Sequence, residues 1–261
     1  MQDEKLMVDF KRIISIAIAA GKEILAIYQK DTIGQCEKND NSPLTEADIA
    51  SHQLIVQQLK TLTPDIPVLS EESANIPWKV RKSWQRYWLI DPLDGTKEFI
   101  KRNGEFTVNI ALIDNHKPVF GVVHAPVLDT TWVGEKEGSA IKIQADKQKA
   151  IKVMPHVTGT PWKVVASRTH VGDSLKTFLS QLGAYELISM GSSIKLCLVA
   201  EGKADVYPRL GPTSEWDTAA AHAVVNAAGG EVVIAENGQP LLYNTKESLL
   251  NPHFLVQACN A

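Results

Sequence analysis

The sequence predicts a mixed α and β protein in two segments, an α+β segment over residues 1–155 and an α/β segment over residues 156–261. Three observations predict it. Near the N-terminus, apolar residues recur at steps of three and four, the period of amphipathic helices. From Phe106 to Ile143, short β-rich runs follow one another with no helical pattern between them, which predicts an antiparallel sheet. From Val164 onward, strands alternate with helices, an α/β pattern.

Leu6, Phe10, Ile13, Ile14, Ala17, Ile18, Gly21, Ile24, Leu25 and Tyr28 form the stripe of one long helix. Asp31 to Ser42 is polar and reads as a loop. Ile49, His52, Ile55, Val56 and Leu59 make the face of a second helix, with Thr45 and Asp48 as a capping box at its start. Val68 and Leu69 are a short apolar pair. Tyr87 to Ile90 reads as a buried strand, and Pro92, which has no N–H, is expected to stop its ladder. Phe106, Val108, Ile110 and Leu112 alternate with Thr107, Asn109 and Ala111. Val119 to His124, Thr130 to Val133 and Ala140 to Ile143 are further strands, with hairpin turns at Asp114-Asn115 and Glu135 to Gly138. In the second segment the strands are Val164 to Ala166, Glu186 to Ile188, Ala204 to Tyr207, Val232 to Ala235 and Phe254 to Gln257. The helices are Leu175 to Leu182, Ile194 to Ala200 and Thr218 to Ala228, stopped by Gly183, Gly202 and Gly229.

Composition excludes several classes. The net charge of −3 leaves no basic footprint for a nucleic-acid polymer. No run reaches the roughly 18 apolar residues that a membrane-spanning helix needs. Asp3, Glu4 and the Ser15 that breaks the run Ile13 to Ala20 argue against a signal peptide. Cys36, Cys197 and Cys259 are odd in number, far apart and free of any C-x-x-C. They give no disulfide framework and no thiolate zinc site, and they fit a reducing cytoplasm.

The acids carry the chemistry. Asp91 and Asp94 leave one strand end close together, where unpaired carboxylates repel and a hard cation such as Mg²⁺ is the usual remedy. Gly95 lets an anion approach the backbone. The plainer alternative is an Asp-Pro turn with an Asx cap. Asp48 is either a helix cap or a neighbour of the acid cluster oriented by Thr45. Glu71-Glu72 is a solvated pair or shares the strand end. Asp217, in Glu215-Trp216-Asp217, caps the following helix or faces the site; a helix N-terminus favours an anion, so both roles are compatible. Gly191-Ser192-Ser193 opens the helix carrying Lys195 and Cys197. It offers N–H groups to a phosphate, or else Ser192 simply caps and Lys195 is a solvated charge. Cys197 reads as packing. Arg209, between two prolines, and His170, after a strand, face a ligand or are ordinary surface residues.

Taken together, Pro43 to Asp48 (P-L-T-E-A-D), Ser70 to Ser73 (S-E-E-S), Trp88 to Thr96 (W-L-I-D-P-L-D-G-T) and Trp216 to Ala219 (W-D-T-A) resemble four signatures of one family. That family is the inositol monophosphatase superfamily of Mg²⁺-dependent, lithium-sensitive phosphatases. Order and approximate spacing match across nearly the whole chain. The resemblance implies a layered α-β-α-β-α sugar-phosphatase fold with a cleft between the two segments. It implies Glu71, Asp91, Asp94 and Asp217 as carboxylate ligands, and the Leu93 carbonyl as a further oxygen, for two or three Mg²⁺ ions that Mn²⁺ can replace. Thr96, with Glu71 and Asp48, would orient and deprotonate the attacking water. Gly95 and Thr96 would hold the scissile phosphate. Glu71, Leu93, Asp94, Ser167, His170, Gly191, Lys195, Arg209 and Asp217 would complete the substrate site.

The continuation Lys97 to Phe106, with Gly191 to Lys195 and Tyr207-Pro208-Arg209, is similar to the branch of the superfamily that acts on bisphosphate nucleotides. It implies conversion of adenosine 3′,5′-bisphosphate to AMP and phosphate during sulfate assimilation. Where inositol monophosphatases usually carry an acid for the inositol hydroxyls, this chain has Arg209. A phosphatase for inositol or sugar phosphates and a non-catalytic nucleotide-binding module are the alternatives. The implied setting is the cytoplasm, as a monomer or weak homodimer, and no motif requires peripheral contact with the inner membrane.

Overall fold

A computed structural model describes residues 8–31, 34–37, 43–167 and 172–259, with 35–37 described by their backbone alone. Asp9 caps the first helix, α1 (Phe10–Tyr28), its carboxylate accepting from the Lys11 N–H at 3.1 Å. The cap explains why α1 starts at Phe10; Leu6 lies outside the described residues. The expected loop before the second helix instead contains a short strand. β1 (Gln35–Glu37) pairs antiparallel with β2 (Pro43–Thr45), because an extended backbone beside another satisfies its N–H and C=O groups whatever its polarity. Helix α2 (Glu46–Leu62) follows, with the predicted Thr45/Asp48 capping box formed.

β3 (Val68–Ser70) leads through a 3₁₀ turn and the single-turn α3 (Trp78–Arg81) to β4 (Arg86–Asp94). Then come α4 (Thr96–Ile100), β5 (Thr107–Asp114), β6 (Lys117–Ala125), β7 (Thr130–Glu135), β8 (Ile141–Gln144) and β9 (Lys147–Ala150). These seven strands form one sheet in chain order. β3 and β4 run parallel, and every other pairing is antiparallel. The expectation that Pro92 ends β4 is corrected. The strand runs on to Asp94, and Pro92 sits in an irregularity of the ladder between the pairs Asp91↔Asn109 and Asp94↔Thr107. A bulge leaves residues unpaired, so the missing N–H costs nothing there. β9, Lys-Gln-Lys-Ala, carries no strand signal. It is an exposed, lysine-bearing edge whose pairing follows from the tight turn at Ala145 and Asp146, both at positive φ.

The second sheet has the order β11-β10-β12-β14-β13. It is built from β10 (Trp162–Ala166), β11 (Tyr185–Ser189), β12 (Val206–Arg209), β13 (Gly230–Ile234) and β14 (Phe254–Ala258). Its helices are α5 (Asp173–Leu182), α6 (Ile194–Ala200) and α7 (Ala219–Ala227). β10 is parallel to β11 and β12, and β14 is antiparallel to both of its neighbours.

Alternation along β4 separates two cores. Trp88 and Ile90 pack with Ile13, Ile24 and Ile55 of α1 and α2. Tyr87 and Leu89 face the other way, toward Ile194, Val199 and Val224 of α6 and α7 and toward Val165, Val232 and Val256 of the second sheet. A third cluster seats Leu175 and Leu179 of α5 on Val164 and Val206. The order of layers is therefore α-β-α-β-α, as the resemblance implies. Because the first sheet is covered on both faces, β4 reads as a continuous apolar run. Among the described residues no helix is long and apolar enough to cross a membrane.

Helix α7 lies against the first sheet at two glycines. A Cβ on Gly134 would come within 2.5 Å of the Ala223 carbonyl oxygen and the Val224 Cα, and one on Gly121 would strike the Ala220 carbonyl. Backbone atoms on a packed helix have little room to yield. Gly121→Ala and Gly134→Ala are each expected to destabilise the fold by about 1–3 kcal/mol. Urea unfolding measures this, and unchanged midpoints would mean that α7 does not sit so close.

Candidate active site

The parallel pairing of β3 and β4 assembles the first acids. Ser70 is opposite Ile90, so Glu71 and Asp91 leave adjacent strand ends side by side. The irregularity after Asp91 turns Asp94 toward the same point. Asp91, 1% exposed, accepts the Leu93 N–H on Oδ1 at 3.0 Å, which fixes the turn between them. Gly95 follows at φ 95°, ψ 41°, a left-handed conformation that suits glycine. From the far side comes Asp217, on a 3₁₀ turn Glu215–Asp217, its Oδ2 accepting the Ser214 N–H at 2.9 Å. Asp217 thus closes a capping box on its own turn and does not cap α7, which begins at Ala219. Asp91, Asp94 and Asp217 each place a carboxylate oxygen within 4.8 Å of the others.

Such crowding has an electrostatic cost. Burial, and then the charges of Glu71, Asp94 and Asp217, push Asp91 well above the usual carboxylate range, and Glu71 also shares a hydrogen bond with it. Burial, then Asp94 and Glu71, raise Asp217 to about 8. Burial raises Asp94 as well, with the Lys195 charge and the Ser193 N–H opposing. Like charges gathered out of water repel until a cation offsets them. Among the described residues every donor here is oxygen, with no histidine or thiol, so the set fits a hard divalent cation such as Mg²⁺ or Mn²⁺ and not zinc.

Helix α2 braces this cluster. Asp48, 1% exposed, accepts the Thr45 N–H and Oγ1–H on Oδ2 at 2.7 and 2.6 Å. Its other oxygen accepts the Thr96 hydroxyl at 3.1 Å. Asp48 thus caps α2 with one oxygen and holds Thr96, beside the acid cluster, with the other. One turn along, Ser51 donates to the Pro92 carbonyl at 2.7 Å, and His52 Nδ1 lies 2.8 Å from the Ser70 hydroxyl. These two bonds tie α2 to the ends of β4 and β3.

The second sheet supplies the opposite wall. A cavity of about 750 Å³ is lined by Glu71, Gly95, Thr96, Ser167, Arg209 and Asp217. A smaller one, about 170 Å³, shares several of these and adds Asp94, Gly191 and Lys195. Of the two readings of Lys195, the solvated charge does not hold, because α6 is covered on nearly every side. Lys195 is 6% exposed, donates from Nζ to the Ser192 carbonyl at 2.5 Å, and burial lowers it to about 8 against the opposing pull of Asp94. Ser192 does not occupy the capping position; it sits at φ 46°, and Ser193 stands at the cap. Arg209 donates to Pro212 O at 2.7 Å and to Ser167 Oγ at 3.4 Å, and its buried Nε has no partner among the described residues. The Gly191 N–H donates to Glu105 Oε2 at 2.7 Å. Cys197 is fully buried, where burial pushes its thiol up, in keeping with packing. His170 lies outside the described residues.

Sequence reasoning passes over a buried polar bridge between the first sheet and the start of α6. The Ser193 hydroxyl donates to Asn109 Oδ1 at 2.8 Å and lies 2.8 Å from Thr107 Oγ1, while its N–H donates to Asp94. One signal was present. Thr107 and Asn109 alternate with Val108 and Ile110 in a strand whose two faces are both buried, so they occupy positions where an apolar side chain is the norm.

Comparison with known proteins places this geometry. The model of the inositol monophosphatase family matches residues 8–259. The chain is 53% identical over 246 residues to the 3′(2′),5′-bisphosphate nucleotidase CysQ of Escherichia coli K12, covering 94% of this chain and 98% of that one. The crystal structure of CysQ from Bacteroides thetaiotaomicron superposes with a TM-score of 0.85 at 45% identity, over 95% and 96% of the two chains. An inositol monophosphatase from Anabaena, 23% identical, shares the fold with a TM-score of 0.71 over 96% and 92%. A match over this length, carried by acids that meet at one strand end, makes the chain a member of the inositol monophosphatase family.

Proposed function

We propose that this chain is a Mg²⁺-dependent phosphomonoesterase that converts adenosine 3′,5′-bisphosphate to AMP and phosphate, in sulfate assimilation and nucleotide recycling in the cytoplasm. The relatives at 53% identity are named for that nucleotidase activity. The observation that carries the reading is one cavity lined both by two acids of the cluster, Asp94 and Asp217, and by two cations, Lys195 and Arg209. A metal cage suits one phosphate, and fixed cations suit a second one beside it.

Glu71, Asp91, Asp94 and Asp217, with the Leu93 carbonyl, would hold two or three ions. When bound, Mg²⁺, or Mn²⁺ in its place, lowers the pKa of water and offsets charge on the transferring phosphoryl group. The protein's own residues do the rest. With its proton donated to Asp48, the Thr96 hydroxyl keeps its lone pairs for the attacking water. Asp48, held on its other oxygen by Thr45, is the fixed acceptor behind it. Glu71 lines the same cavity as Thr96 and would share the orientation of that water. The backbone N–H groups of Gly95 and Thr96 would hold the scissile phosphate. Ser167, His170, Gly191, Lys195 and Arg209 would surround the nucleotide and its other phosphate.

Phosphate release from a panel of monoesters tests the reading, with Mg²⁺ and with a chelator. The expected result is fastest release from adenosine 3′,5′-bisphosphate, lost on chelation. Faster release from inositol 1-phosphate would make the chain an inositol monophosphatase. Nucleotide binding without release would make it a binding module.

A further inference from the structure

Lys97 in helix α4 and Lys101 at its C-terminal cap have no part in the proposed site. Lys97 and Lys101 are one helical turn apart, on the same face, and both are exposed. Both line the cavity that also holds Asp94, Lys195 and Arg209. Their side chains make no hydrogen bond or ion pair among the described residues; the Lys101 N–H donates to the Lys97 carbonyl at 3.0 Å.

The other cations nearby are already engaged. Lys195 donates to the Ser192 carbonyl, Arg209 to Ser167 and Pro212, and Arg102 to the carbonyls of Tyr28 and Lys30. Glu105, on the same cavity wall, accepts the Gly191 N–H. So two exposed lysines line a cavity beside the proposed phosphate site, together with the acids Glu98 and Glu105. An anion arriving there would gain from both lysines at once. Lysine suits such a post, since its ammonium is a compact charge on a flexible stem that can follow a phosphate.

We propose that Lys97 and Lys101 form a cationic rim that binds the phosphate the enzyme does not cleave. The inference rests on the bisphosphate reading and deepens it. Lys195 and Arg209 are buried or tied and present fixed charges inside the cavity. The rim meets the same phosphate from the solvent side. Since the rim is exposed, its pull is screened by salt, whereas that of the buried Lys195 is screened much less.

The test is steady-state kinetics of the Lys97→Gln/Lys101→Gln double variant on adenosine 3′,5′-bisphosphate and on adenosine 3′-monophosphate, at low and high salt. Lys22→Gln/Lys60→Gln, on exposed positions of α1 and α2, controls for net charge. At low salt the KM for the bisphosphate is expected to rise about tenfold, the loss of one charged hydrogen bond or so. The monophosphate KM should rise much less, and the salt dependence of the bisphosphate KM should flatten. A bisphosphate KM within about twofold of wild type, or equal rises on both substrates, would overturn the rim. If wild-type protein releases no phosphate from the bisphosphate, the nucleotidase reading fails by itself. Calorimetric titration with AMP, which keeps the second phosphate, still decides the rim: weaker binding to the double variant supports it, and equal affinity rejects it.

Discussion

Replacing Asp91 with asparagine is expected to cut phosphate release by roughly a thousandfold and, at the same time, to raise the melting temperature of the metal-free protein. The first effect follows from what the side chain would hold. Stabilisation of transition-state charge by bound metal is worth several kcal/mol. Losing about 4 kcal/mol of it, at about 1.4 kcal/mol per decade of rate, gives that factor. The second effect follows from the surroundings. Asp91 is buried against Glu71, Asp94 and Asp217, and its charged form is disfavoured by all three. Asparagine keeps an oxygen for the Leu93 N–H and brings an N–H group toward Glu71, so the fold loses a repulsion and keeps its turn. Phosphate release with Mg²⁺, and melting curves in chelator, measure the two effects. Retained activity would place Asp91 outside the site. A drop in the metal-free melting temperature would make the side chain a structural support and not a ligand.

Much of this architecture is legible in the sequence because burial leaves a periodic trace. α1 shows its stripe, and Leu175 to Leu182 shows both its helix and its glycine stop. β9 is not legible, since a strand exposed on both faces has no pattern to show. The local rule for Pro92 fails for a different reason: long pairing with β5 carries β4 past the proline, which is absorbed in the irregularity. At the site, residue types are legible and roles are not. Asp48 reads as a cap or as a site residue, and only the meeting of α2 with Thr96 shows that its two oxygens divide between those roles. By its local signal alone Lys195 reads as a phosphate-side residue or as a solvated charge, because polarity does not separate the two. That α6 is buried between the sheets is a property of the whole fold and not of seven residues. The Ser193, Asn109 and Thr107 bridge is hidden for the same reason, as its partners lie far apart along the chain.

Metal-free protein is expected to lose stability as pH rises from 6.5 to 8, and Mg²⁺ to cancel that loss. In the folded state Asp91 lies well above its unfolded value of 3.8, Asp217 is raised to about 8, and burial raises Glu215 to about 7. A carboxyl raised in this way holds its proton more firmly when folded. Its contribution is fully present below pH 3.8 and is lost as pH climbs through the folded value. Two buried histidines oppose it lower down. His124, lowered to about 4, and His222, lowered to about 3, stay neutral in the fold while the unfolded chain protonates, so their contribution falls away below pH 6.5. Lys195, lowered to about 8 from 10.5, changes stability above the window and not within it. Between 6.5 and 8 the carboxyls work against the last half of the histidine titration, to which His52, also lowered by burial, adds. One proton held over that interval is worth roughly 2 kcal/mol, a shift of several degrees for a chain of this size. A cation binds the ionised carboxylates and stabilises by mass action, more strongly at pH 8 than at 6.5. Melting temperatures in chelator and in Mg²⁺ across this range measure the effect. A chelator curve that rises with pH, or a Mg²⁺ shift of equal size at both ends, would show that these acids do not share one charge-starved cage. In Asp91→Asn the chelator slope should be shallower than in wild type, because one of the acids that drives it is gone.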